Sequence, residues 1–499
     1  MPEELPQIQF NQVITGRGEI HVEELTSPVT RFTLSRIKHG FRTPWEFETV
    51  VSEDDRGEFY KAVKRGSLLR FVGKTFTGSS IEVPNLRMRR WELGNGAFTG
   101  VASAALIDSG PLPTKPNRQI VTIDLSPTSM ALEEKRFLTR YYTGELKEDD
   151  ALTPSDKEKV LYWDTSYGRM TLVCYYAWEN AQVGETQSIV RIPVSTLQLR
   201  LENDATSADA RQLAESIEKE IEGPLRLISL LNRGHVRWTR IHVSSETKDD
   251  NGRTTGHDLD WHRPGALGDE RSHRDWGLAN PYDMVPDGLN TVVTSLNQSP
   301  YRDVLLTAMV YIVTAYDDRI AELSLVSSFT ALETITNGIG EVDGTDHIMP
   351  EGGFRKLKKH LEGEIQSHIE AEKLSANLFP LIRVKLGELN RSSIVPRLCA
   401  LIERHKVEWK MLWPEADLEE SVRRMIKVRN EFVHTGHIDM EGRAYIASRR
   451  ARMLGEQLIW RMLGGDWKWE HVSSFSETDR LIAWEKELDL EESARPEGN

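Results

Sequence analysis

A chain of 499 residues is too long for one ordinary core and points to two or three domains. Its 63 Lys and Arg against 77 Asp and Glu give a net charge of -14, which argues against a histone-like coat of positive charge but leaves room for a local basic patch. Two distant cysteines, Cys174 and Cys399, build neither a disulfide framework nor a zinc cluster. The N-terminus is acidic and polar, unlike a signal peptide, and the most apolar stretch, residues 304–316, is too short to cross a bilayer. A soluble cytoplasmic protein without a membrane partner is expected.

The expected fold class is α+β and multidomain: a β-rich N-terminal region with a few helices, then an all-α bundle. Residues 1–200 read as strands, with apolar runs at 67–72, 119–125, 169–177 and 188–193 separated by Gly, Pro, Asn and Asp clusters. This spacing suggests a sandwich or barrel. Residues 201–285 form a second segment. Leu213, Ile217 and Ile221 recur every four residues after Asp209, Gly223-Pro224 breaks that helix, and a second helix ends at Asn232-Arg233-Gly234. Residues 236–243 read as a strand and 246–285 as a long polar loop.

Residues 286–475 are expected to be helical. One long apolar stripe runs from Leu305 through Met309, Ile312, Val313, Tyr316, Ile320, Leu323, Val326, Phe329 and Leu332 to Ile335, with Gly338 and Gly340 as its stop. Further helices are predicted at 354–374, 376–388, 393–405, 417–435 and 441–464, and residues 476–499 read as a tail.

The chemistry concentrates between Glu419 and Gly436. Val422, Met425, Ile426, Phe432 and Val433 supply an apolar helical face, and Gly436 ends it. Asn430 and His434 are four apart and share one stripe. Arg429 lies about 140° round from His434, on the flank of that stripe. These groups suit RNA cleavage by attack of the ribose 2′-OH on its own phosphate, leaving a 2′,3′-cyclic phosphate and a 5′-hydroxyl. Histidine moves protons near neutral pH, and arginine holds phosphate oxygens through a permanently charged fork. Asn430 would orient the imidazole or the substrate. Residues 421–465 carry nine Arg and Lys against four acids, a net +5 inside an acidic chain. Arg423, Arg424, Lys427, Arg449 and Arg450 are the RNA-binding candidates, although such a run also reads as solvated helix faces.

The spacing alone is weak, because Arg-x4-His occurs three times: Arg237…His242, Arg355…His360 and Arg429…His434. Context separates them. The first lies in a predicted strand and the second in a lysine-rich amphipathic helix. Only the third has an amide after the Arg and an apolar helix around it.

The segment VRNEFVHTG resembles the R-N-x-x-x-H signature of HEPN domains, the "higher eukaryotes and prokaryotes nucleotide-binding" helical modules. SSFTALETITNGI, residues 327–339, resembles the F-x-A-L-E helix of the ApeA-like HEPN branch found in antiphage defence proteins. Helix 444–463, with small and apolar residues at Ala447, Ala451, Leu454 and Leu458, is similar to the helix that closes such bundles. The resemblance covers roughly residues 298–465. It implies a dimer in which two motif helices form a composite site, and metal-independent cleavage of RNA, often tRNA, in defence or toxin systems. It also implies an appended region that senses a phage-derived or protein trigger, and no cofactor. Arg429, Asn430 and His434 would be catalytic. Glu333 would face the motif helix as a catalytic carboxylate or as a buried pairing group. His437, three residues after His434, could reach the same groove. The alternatives are a non-catalytic HEPN dimerisation or nucleotide-binding module, or a structural subunit of a defence complex.

Other motifs carry less. HDLDWH, with His257, Asp258, Asp260 and His262, contains metal-capable groups near His235, His242 and His273, but reads as polar loop rather than metal site. Gly73-Lys74-Thr75 lacks the glycine a P-loop needs. GNGAFTG, residues 94–100, has the wrong spacing for a dinucleotide fingerprint and reads as a turn. Trp163, Tyr167, Tyr175, Tyr176 and Trp178 suit a β-core, or a surface that stacks bases or binds a trigger. Cys399 reads as core.

Overall fold

The structure is a computed structural model that describes residues 11–37, 45–64, 68–92, 96–102, 104–110, 115–126, 161–183, 186–202, 206–248, 254–262, 289–316, 321–375, 377–414, 416–435, 441–465 and 475–493. The chain divides into two compact units, Met1–Asn290 and Thr291–Asn499. It is α+β, with a β-barrel and sheet in the first unit and helices throughout the second. Among the described residues no helix is long and apolar enough to cross a membrane.

In the first unit, six strands close a barrel: β1 (Asn11–Val22), β2 (Leu25–Ile37), β3 (Trp45–Val50), β4 (Leu69–Thr75), β5 (Ser80–Glu92) and β6 (Ala97–Ala102). They run in the order β4-β1-β2-β3-β6-β5, and pairing of β4 with β5 completes the ring. Strand alternation fills it: β3 reads buried–exposed throughout, and Phe32, Phe47, Phe71 and Phe98 meet inside, with Phe32 and Phe71 ring centroids 4.6 Å apart. Glycines shape one seam. A Cβ on Gly18 would stand 2.3 Å from the Val72 carbonyl and 2.7 Å from the Phe71 ring, so any side chain there collides with the neighbouring strand. Helix α1 (Arg56–Lys64) lies between β3 and β4 in the chain.

Strand β7 (Ala105–Asp108) pairs with β5 and leads out of the barrel into an open antiparallel sheet. That sheet continues through β13 (Thr254–His262), β12 (Trp238–Lys248), β8 (Arg118–Leu125), β11 (Thr186–Glu202), β10 (Gly168–Val183) and β9 (Tyr162–Thr165). Helix α2 (Ala210–Glu220) is capped by the Asp209 carboxylate, which accepts from the Gln212 N–H at 2.9 Å. Helix α3 (Glu222–Asn232) takes Gly223-Pro224 into its first turn and ends on Arg233 at φ +50°. Part of the expected polar loop is strand. Residues 246–248 and 254–262 belong to the β12–β13 hairpin, and 263–288 lie outside the described residues.

The second unit contains α4 (Asn290–Gln298), α5 (Arg302–Thr314), α6 (Ala321–Asp343), α7 (Glu351–Ala371), α8 (Leu378–Leu386), α9 (Ile394–Arg404), α10 (Leu418–Thr435), α11 (Glu441–Met462) and α12 (Phe475–Ser493). The single stripe expected from Leu305 to Ile335 is two helices, α5 and α6. The break resets the helical phase, so Leu323 and Val326 are exposed while Leu325, Phe329, Leu332 and Ile335 are buried. Gly338 and Gly340 do not end α6. The helix runs to Asp343, and Gly344 at φ +66° follows it. The segment read as a tail contains α12.

Gly338 lets α5 lie close against α6. A Cβ there would stand 2.4 and 2.7 Å from the two Val304 methyls and 3.2 Å from Val304 Cβ, so no rotamer of that stiff side chain clears it. Two effects oppose in Gly338→Ala. Helix propensity favours alanine by about 1 kcal/mol, whereas overpacking costs about 1–3 kcal/mol. Net destabilisation of up to about 2 kcal/mol is expected in urea unfolding, largely reversed in Gly338→Ala/Val304→Ala. A midpoint above wild type for the single variant would overturn the packing account.

Candidate active site on the α6–α10 face

Helix α10 presents its apolar stripe, Val422, Met425 and Ile426, to the bundle and buries it. Val433, expected on that stripe, is 52 % exposed because the helix outruns the core beneath it. Arg429 sits where burial gives way to solvent. Its Nη2 lies 2.6 Å from Glu333 Oε1 of α6, and its Nη1 donates to Asn430 Oδ1 at 3.0 Å. Arg429 and Glu333 are both about a third or less exposed. Five residues further along means a rise of about 7.5 Å and a turn of about 140°. Accordingly Asn430 and His434 stand exposed on one stripe in the last turns of α10. The structure brings Glu333, Arg429 and Asn430 together; among the described residues His434 makes no hydrogen bond to them. His437 lies outside the described residues.

The pair between α6 and α10 is half-solvated, so its own contribution to stability is at most about 1 kcal/mol. Arginine has five N–H donors. Those not directed at Glu333 and Asn430 leave a fork able to hold a phosphate oxygen beside the exposed imidazole.

The RNA-binding candidates separate by environment. Arg423 and Arg424 are exposed and pair along α10 with Glu419 and Glu420, one turn before them. Lys427 is exposed. Arg449 stacks over the Tyr445 ring at 4.8 Å. Arg450 differs from the others: it is 4 % exposed and makes two 2.7 Å hydrogen bonds to the Glu485 carboxylate of α12. Arg452, counted in the basic run, is also buried, its guanidinium 4.0 Å over the Tyr316 ring. The Tyr316 hydroxyl donates to Glu456 at 2.8 Å.

The other Arg-x4-His pairs sit as their context indicates. His242 lies in β12, and Arg355 and His360 lie on the exposed face of α7. Cys399 is half-buried rather than core. Burial first, then the charges of Glu419, Glu403 and Asp417, push its thiol up to about 11, so it is no nucleophile at neutral pH. Trp163 is buried, whereas the side chains of Tyr175, Tyr176 and Trp178 lie outside the described ones.

The metal-capable HDLDWH segment is strand β13, and its side chains diverge. His262 is buried with its ring 5.2 Å from Trp45. Asp260 receives His242 Nδ1 at 2.9 Å and Arg240 Nε at 2.6 Å, and Asp124 lies 3.5 Å from the same guanidinium. Among the described residues no three His, Cys, Asp or Glu side chains are grouped to hold a metal. Burial alone would raise the Asp260 pKa, but the hydrogen bond from His242 and the charge and hydrogen bond of Arg240 outweigh it. Together they hold the carboxyl far below the ordinary range. A depressed carboxylate contributes stability above its unfolded-state pKa and loses it as pH falls toward the folded one. The first unit is therefore expected to weaken below about pH 4, and Asp260→Asn to flatten that acid limb while costing stability at pH 7. Urea midpoints at pH 7 and 3 test this; equal acid losses in both proteins would remove Asp260 from the account.

Compared with protein-family models, curated proteins and solved structures, the chain matches none.

Proposed function

We propose that the second unit is a metal-independent endoribonuclease of the HEPN type, acting in antiphage or toxin-like defence under the control of the first unit. The observation that carries the reading is the Glu333–Arg429 contact across α6 and α10, at 2.6 Å, with Asn430 and His434 exposed on the same helix. The contact joins two elements ninety-odd residues apart in sequence, which supports the reading.

In this reading Arg429 binds a non-bridging phosphate oxygen and offsets charge that builds in the phosphorane. His434 moves the proton. It takes one from the 2′-OH as that oxygen bonds to phosphorus, or gives one to the departing 5′-oxygen, and the histidine of a second copy serves the opposite step. Asn430 orients the imidazole or the ribose. Glu333 fixes the guanidinium plane, which a lone arginine on an exposed helix end would not hold. The exposed Val433 suits a contact between two motif helices.

A non-catalytic dimerisation or binding module is the second reading. The engagement of Arg429 by Glu333 and Asn430 favours it, since the same contacts would serve structure alone. Total tRNA incubated in EDTA separates the two. Wild type is expected to leave cyclic-phosphate ends, with His434→Ala slower by about a hundredfold or more. Arg429→Lys, which keeps charge but loses the fork, should fall well below wild type with an unchanged melting temperature. Equal cleavage by wild type and His434→Ala would end the nuclease reading.

A further inference from the structure

Helix α12 carries the largest net charge of the helices described in the second unit. Phe475–Ser493 carries seven Asp and Glu against two basic residues, a net of -5. Its partner α11, Glu441–Met462, carries five Arg against two Glu, a net of +3. The two run antiparallel, with Gly442 of α11 against Leu488 and Tyr445 against Trp484 at 5.4 Å between rings. Their charges are matched pair by pair. Arg443 Nη2 donates to Asp489 at 2.9 Å, and Arg450 gives both ends of its fork to Glu485 at 2.7 Å.

The apolar anchor beneath these pairs is small. Among the described side chains of α12 only Thr478 and Leu481 are buried, while Trp484 is 39 % exposed and Leu490 71 %. The helix also repels itself. Glu485 and Asp489 stand four apart, an arrangement of like charges that destabilises an isolated helix. Among the described side chains of α12, Glu485 and Asp489 are held by α11 arginines. A guanidinium fork accepts a phosphate as well as a carboxylate, and a nucleic-acid backbone offers many phosphates at once with release of counterions.

We propose that α12 is an internal polyanion mimic: it covers a phosphate-binding stripe of α11 formed by Arg443 and Arg450, and a single-stranded RNA backbone displaces it. The proposal rests on the ribonuclease reading only for naming RNA as the polyanion. Arg450 then returns as an RNA contact in the displaced state, which reconciles its burial with the basic run around it.

The test uses the full chain and a fluorescein-labelled 2′-O-methyl RNA homopolymer, which lacks the attacking hydroxyl and so reports binding without cleavage. Glu485→Gln/Asp489→Asn is expected to bind the probe about tenfold tighter than wild type at low salt, with a steeper fall in affinity as salt rises. Adding Arg443→Gln/Arg450→Gln should cancel the gain. Since removing Glu485 strips a buried arginine of its partner, hydrogen exchange on the unmutated chain supplies the second measurement. Saturating probe should remove protection from α12 amides and leave α6 amides protected. Unchanged affinity in a variant that melts like wild type, or α12 equally protected with and without probe, would overturn the mask. Tight binding with no cleavage of tRNA retires the nuclease reading and keeps the mask; cleavage with unchanged affinity does the reverse.

Discussion

The second unit depends on how closely its neighbours can approach α6. This helix is long and central, and its packing positions are small where other helices cross it. Gly338 admits Val304 of α5. Ser324 and Ser328 place their hydroxyls 2.9 and 3.2 Å from Ser448 of α11, so the buried polar groups satisfy one another. From the other side, Gly455 of α11 leaves room for Ile312, which a Cβ would meet at 2.9 Å. Larger residues at these crossings would separate the helices by the width of a side chain. With α5 and α11 held tight, one face of α6 remains for α9 and α10, and Glu333 stands on it.

That placement explains why a carboxylate is tolerated there. A fully buried Glu333–Arg429 pair would carry a heavy desolvation penalty, and a fully exposed one would seldom hold its geometry. At roughly a third exposed each, the two keep water on their outer side and each other on the inner side. The guanidinium is thereby oriented without being consumed. The first unit handles its own charges differently. Arg240, His242, Asp260 and Asp124 form a row across three neighbouring strands. Two residues further along β13, His262 is buried and packs its ring on Trp45 of β3.

The helices were legible where apolar residues recurred within one unbroken element. α9, α10 and α11 lie within a few residues of the ranges expected, and the Arg429 and Glu333 motifs fall on helices that do touch. The reading failed where periodicity crossed a break, as between α5 and α6, and where glycine served packing rather than termination, as at Gly338. The β13 strand was missed for its polarity, although Leu259 and Trp261 alternate with Asp258, Asp260 and His262 in period two. A half-polar strand looks like a loop when polarity is weighed before period. Nor was the barrel closure legible, because pairing of β4 with both β1 and β5 is a long-range choice that no local run of residues encodes.

Local charge was the least transferable of the sequence signals. A window of +5 between 421 and 465 counts side chains without regard to what faces them, and here a helix of equal and opposite charge faces part of it. Some of the nine cations are structural, Arg452 over Tyr316 above all. Others hold a neighbouring turn, as Arg423 and Arg424 do. Arg443 and Arg450 are spoken for by α12. The charge that remains directed outward is concentrated on α10, near Lys427, and on the guanidinium that Glu333 steadies. On α11, Arg443 and Arg450 already hold the acids of α12, so a phosphate could bind those two guanidinium groups only in place of Asp489 and Glu485.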